Sequence, residues 1–249
     1  MSLSPDTQPG IYGKLPGNGD FVTRRLPATF VEPWDQWLQE SITVSQDQLG
    51  ERWLETYLTS PVWRFALSPG TADQTPWAGL LIPSVDRVGR YFPLTLACPL
   101  SVGGNPLDIM TGAQSWYDSA EALLLACLED DLDLATLDRQ VAELGTPPVT
   151  SQTYAPLPSI SGARRMALTA DHATLCHSLL SQAWGELFFA YSLWWSTGSD
   201  IVEPSLLLCQ GLPPTAGFSG MLAGDWGHWG WEQSRVSPIG DGPGEPRRS

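Results

Sequence analysis

The sequence predicts a layered α/β domain built around a mixed sheet. Three observations carry this. Five stretches space their apolar residues as helices do, and about six shorter stretches are β-favouring apolar runs. The two kinds alternate along the chain, so that helices come before, between and around the strands. The chain also has 249 residues, 42% hydrophobic and only 16% charged, which suits a substantial core rather than a disordered segment.

The chain opens on GIYGKLPGNGDF (10–21), which holds four glycines and the only lysine. Pro16-Gly17 and Asn18-Gly19 are turn dipeptides, and no clear strand precedes them, so this segment reads as a turn that orders the N-terminus against the sheet. Phe30, Trp34, Trp37, Leu38 and Ile42 then recur at helical spacing, with the helix starting near Glu32 so that Pro33 falls in its first turn. A second helix spans 46–58. Strands follow at 62–67, 77–83 and 90–100, adjacent and antiparallel, and the short SVDRVG between the last two forms a hairpin loop. Pro93 marks a bulge or an edge. Helices are expected at 115–130 and 134–145, the latter ending on Gly145. A Pro/Ser-rich connection fills 149–163, a strand 164–169 and a helix 173–185. Two strands at 188–198 and 205–213 complete the sheet. The last dozen residues, rich in Gly and Pro, are expected to be flexible.

The net charge of −14 disfavours nucleic acid and anionic membrane as partners. Twelve arginines against one lysine suit bidentate ion pairs. Between Asp118 and Glu143 eight acids accompany one base, Arg139, which reads as a solvated helical face rather than a docking surface. The four cysteines, at 98, 127, 176 and 209, have no C-x-x-C spacing and read as free buried thiols of a reducing compartment. MSLSPDTQPG has neither the basic nor the apolar region of a signal peptide, and no run approaches 18 apolar residues; a cytoplasmic address is expected.

No complete catalytic motif is present. A P-loop read back from Gly13-Lys14 needs a glycine where Gln8 stands and a hydroxyl where Leu15 stands. The dinucleotide fingerprint fails at Val22. No G-x-S-x-G occurs, and Ser84 has no histidine beside it. Asp171, His172, Cys176 and His177 lie together but lack the ligand set of a zinc site. His228, among Trp226, Trp229 and Trp231, reads as part of a packed cluster. Asp86, Arg87 and Arg90, in the loop between two apolar strands, either hold an anionic partner or close the fold through internal pairs. No cofactor or metal is expected.

The segments GIYGKLPGNGDFVTRRLPATFVEPWDQWLQESI, WRFALSPG, WAGLLIPSVDRVGRYFPLTLACPL, SLWWSTGS and SLLLCQGLPPTAGFSGML together resemble the TagF/ImpM family of type VI secretion accessory proteins. The pairing of GKLP-x-x-GDF with PS-x-D-R-x-GR-x-F-P is the specific part. The resemblance implies a three-layer α/β/α sandwich, here around a mixed, largely antiparallel sheet, as a single domain over 1–225 with a tail over 226–249. It implies a non-enzymatic cytoplasmic protein that represses type VI secretion after translation. The implied partner is the forkhead-associated scaffold protein of the threonine-phosphorylation pathway. The phosphatase domain fused to some members is not expected in this chain. Lys14, Asp20, Arg24, Asp35, Arg64, Ser84, Asp86, Arg87 and Arg90 form a candidate partner-binding patch. The alternatives are a phosphopeptide or small-ligand sensor, and a small hydrolase using Lys14, Asp20, Asp86 and Arg87.

Overall fold

The computed structural model describes residues 8–101, 105–129, 133–148 and 172–234. The strand expected at 164–169, the connection at 149–163 and the last dozen residues lie outside these. Seven strands form one sheet: β1 (Gly10–Gly13), β2 (Val22–Arg24), β3 (Trp63–Leu67), β4 (Trp77–Ile82), β5 (Leu94–Pro99), β6 (Tyr191–Ser196) and β7 (Ser205–Gln210). Their spatial order is β2-β1-β5-β4-β3-β6-β7. The sheet, expected to be mixed and largely antiparallel, is antiparallel at every pairing among the described residues.

Helices cover both faces, which explains why the central strands read as continuous apolar runs. On one face lie α1 (Ala28–Leu49), α2 (Trp53–Leu58) and α7 (Phe218–Ala223). On the other, α4 (Gln114–Glu129) and α5 (Leu134–Glu143) pack on β1, β4 and β5, while α3 (Pro106–Gly112) and α6 (His172–Leu187) cover β6. β3 and β4 are buried at every residue, whereas β7 at the sheet edge alternates because only one of its faces is covered. The three-layer sandwich that the resemblance implies is the fold observed.

Tryptophans fill the first of these cores. Trp34 stacks on Trp194 at 5.8 Å and lies 4.9 Å from Phe65, between ring centroids. Their indole N–H groups find acceptors inside: Trp34 donates to Thr95 Oγ1 at 2.9 Å, Trp37 to the Pro213 carbonyl at 2.8 Å and Trp63 to the Met221 carbonyl at 3.0 Å. Trp231 donates to the Gly217 carbonyl at 2.8 Å and packs where Gly217 and Gly220 leave room for it. Packing therefore continues to Trp231, in the segment expected as a tail over 226–249.

Other boundaries move for local reasons. α1 begins at Ala28, not near Glu32, with extended Pro27 at its N-cap, so Pro33 lies one turn inside and forgoes the bond to the Thr29 carbonyl. α1 also runs through 46–49 to Leu49, where Gly50 (φ 54°) ends it, and a 3₁₀ turn over Gly50–Arg52 leads into α2. Pro93 precedes β5 rather than interrupting it. The short β1, β2, α3 and α7 were not expected from spacing. Burial pushes the thiols of Cys98, Cys127 and Cys209 up to about 12, whereas Cys176 is exposed, against expectation.

Candidate functional site

The opening segment is a hairpin, β1–β2, and its loop docks against the loop joining β4 to β5. Gly13 makes the approach possible. Its φ is +134°, and a Cβ there would meet the Pro93 carbonyl oxygen at 2.1 Å. Beyond it Lys14 and Leu15 turn inward, and the Asn18 N–H donates to the Leu15 carbonyl at 2.9 Å. The second loop is closed by the Val85–Tyr91 bridge and by the Gly89 N–H on the Asp86 carbonyl at 3.0 Å. The Arg87 N–H reaches across to the Asn18 carbonyl at 3.1 Å, joining the two loops.

Asp86 is the hub of this tip, and its side chain has no exposure. Oδ2 takes the Lys14 ammonium and, at 2.7 Å, the Arg90 Nε. Oδ1 accepts the Val88 N–H at 3.0 Å and the Arg90 N–H at 2.8 Å. Burial pushes the Asp86 carboxyl up. The hydrogen bonds from Lys14, from the Arg90 backbone and guanidinium, and from Val88 outweigh that and hold it well below the usual carboxylate range. The cost of burying these charges is offset by this full set of partners. Arg90 also donates to the Gly19 carbonyl, and its guanidinium lies 4.0 Å from the exposed Asp20. Ser84 Oγ donates to the Lys14 carbonyl at 2.7 Å, and Tyr57 donates to the Ser84 carbonyl at 2.9 Å.

Aromatic rings border the hub. Phe21 is 47% exposed, packs on Phe92 at 4.8 Å and Tyr12 at 5.9 Å, and carries the Lys14 ammonium 5.0 Å from its centroid. The Tyr12 hydroxyl donates to Asp35 of α1, whose other oxygen accepts from Gln39 at 2.6 Å.

The nine candidate patch residues thus separate. Lys14, Asp20, Ser84, Asp86, Arg87 and Arg90 meet at the tip, and Asp35 adjoins it through Tyr12. Among the described residues Arg24, on β2, bonds only its neighbour, the Thr23 carbonyl, at 2.9 Å. Arg64 does not belong: buried on β3, it grips Asp118 at 2.8 Å and Glu121 at 2.9 Å on α4. Arg25 similarly holds Asp138 of α5. The acidic helices therefore use three acids to clamp arginines, and Asp133 caps α5 by accepting from the Ala135 and Thr136 N–H groups. They are not merely a solvated face. Spacing gave no sign of this, because the partners lie 54 to 113 residues apart.

His177 pairs with Asp108 of α3 at 3.0 Å, and among the described residues no group of three potential ligands could hold a metal. Asp171 and the His172 side chain lie outside the described residues. His228 meets Trp229 edge-on at 4.4 Å, beside the packed Trp226 and Trp231.

The family model of the TagF N-terminal domain, type VI secretion system-associated, matches residues 10–144. The chain belongs to the TagF family. The match includes both loops of the tip, and the TagF relationship places the chain with the type VI secretion system. Among solved structures it is similar to PA0076 from Pseudomonas aeruginosa PAO1, with 39% identity and a TM-score of 0.74 over 96% of this chain and 100% of that one. No curated protein matches the chain. Among the described residues, no helix is long and apolar enough to cross a membrane.

Proposed function

We propose that this TagF-family chain is a non-enzymatic, post-translational repressor of type VI secretion. It acts in the cytoplasm by binding the forkhead-associated scaffold protein of the threonine-phosphorylation pathway. The observation that carries the reading is the way the tip spends its polar groups. Of the four groups of the hydrolase reading, Lys14, Asp20, Asp86 and Arg87, the lysine and Asp86 are buried and bonded to one another. A sensor reading needs Lys14 to converge with Arg87 or Arg90 on an open site, but the ammonium is buried on Asp86. What faces solvent is a rim of Asp20, Phe21, Arg87, Val88 and Arg90 set on a rigid base, which suits a docking surface. The test is calorimetric titration of the purified chain with the scaffold from the same cell at moderate salt. Saturable binding, micromolar or tighter, is expected. Folded chain that leaves folded scaffold unbound would overturn direct sequestration.

A further inference from the structure

The rim has a definite chemical character. The chain carries a net charge of −14, yet the tip gathers Arg87 and Arg90 around one residue pair, Gly19 and Asp20. Arg90 donates to the Gly19 carbonyl, and Arg87 Nη2 lies 3.5 Å from where a Cβ on Gly19 would sit. Two guanidinium groups therefore converge on the first loop. Arg87 has no acid partner among the described residues. The carboxylates within reach are already used: Asp86 by Lys14 and Arg90, and Asp35 by Tyr12 and Gln39. The one that is not, Asp20, stands fully exposed 4.0 Å from Arg90, a loose contact that an incoming carboxylate can replace. Phe21 and Val88, 47% and 63% exposed, give the two loops apolar surface beside these charges.

We propose that this tip docks an acidic segment of the partner protein. Side-chain carboxylates of the segment pair with Arg87 and with the outer face of Arg90, and an apolar side chain lies against Phe21 or Val88. Guanidinium forks match carboxylates in plane and charge. Carboxylates fit better than a dianionic phosphate, because Arg87 offers one planar fork to a single charge while Arg90 has part of its fork committed. The inference rests on the repressor reading for its partner, but the surface can be tested without it.

The probe is a synthetic peptide of alternating glutamate and leucine, titrated into the full chain and followed by backbone amide shifts and calorimetry. Shifts are expected at Gly19, Phe21, Val88 and Gly89. Arg87→Glu should weaken binding about tenfold, as loss of a charged hydrogen-bond pair does. Asp20→Asn should strengthen it, because the competing carboxylate is gone. Arg24→Glu is the charge-matched control: alternation places Arg24 on the face of β2 opposite Thr23 and away from Phe21, so a change under about twofold is expected. No shift at the tip, weaker binding by Asp20→Asn, or an equal loss in Arg24→Glu overturns the proposal. A phosphothreonyl peptide binding the same amides more than about tenfold tighter than its glutamate counterpart overturns the choice of carboxylate. Scaffold binding separates the two readings. If the peptide binds at the tip and the scaffold does not bind at all, the repressor mechanism falls and this surface stands. If the scaffold binds equally well to Arg87→Glu and the peptide leaves the tip unmoved, this surface falls and the repressor mechanism stands.

Discussion

Asp86 and Arg64 are each the buried centre of a charged cluster, and they are buried in opposite senses. At the tip the carboxylate has no exposure, and its main cation, Lys14, is only 5% exposed, so neither charge can return to water if the other is lost. Between β3 and α4 only the cation is buried, at 7%; its partners Asp118 and Glu121 are 56% and 22% exposed. The first arrangement fixes the shape of two loops that belong to different hairpins. The second fastens a helix to a sheet with charges that water can still solvate. The same residue types therefore shape a surface in one place and join two layers in the other.

The contrast breaks most completely at the backbone. Gly13→Ala places a Cβ 2.1 Å from the Pro93 carbonyl at a φ that L-residues rarely adopt, and it should cost more than about 4 kcal/mol in urea denaturation or prevent folding outright. Near-normal stability in that variant would show that the close approach does not hold the tip. The next test compares the two cations. Lys14→Met strands a buried carboxylate and should cost about 3 kcal/mol, whereas Arg64→Met releases acids to solvent and should cost about 1 kcal/mol. Equal losses in matched denaturation curves would erase the distinction.

A subtler effect lies in pH. The Asp86 pKa is depressed in the folded chain, so its stabilisation is complete above the unfolded carboxylate value of about 3.9 and is lost as pH falls below that toward the folded value. The stability gap between the natural chain and Asp86→Asn should hold steady from about pH 7 to 5 and narrow below about pH 4. A gap that widens on acidification contradicts the assignment. The smallest change is expected for Arg87→Ala. The residue is exposed and its backbone bond to Asn18 survives, so the melting curve should shift by no more than about 0.5 kcal/mol.

The sequence showed the large periodic elements and hid the short ones. β3, β4, β5, β6 and β7 were legible because apolar runs between turn signals leave few other readings. β1 was not, since two of its four residues are glycine and a glycine-rich stretch reads as a turn. α3 had a usable signal, Asn105-Pro106, whose side chain accepts the Leu107 N–H at 2.9 Å as an N-cap. The grouping of Lys14 with Asp86 and Arg90 came from two segments that the family resemblance tied together, and the structure joins them. Arg64 was placed with them by the same reasoning and lies elsewhere, because a strand residue's facing depends on sheet order. No local pattern states which helix will supply its acid. Strand direction, expected as mixed and largely antiparallel, was legible only in part for a related reason: strands covered on both faces lose the alternation common in antiparallel sheets.

The burial of Lys14 has a practical side. It is the chain's only lysine, and its nitrogen is engaged by Asp86 beneath the Phe21 ring. Amine-reactive dyes and cross-linkers acting on the folded chain therefore find no accessible lysine at the tip. Gradual labelling of Lys14 itself, read by peptide mapping, reports opening of the two loops as a clock that needs no mutation.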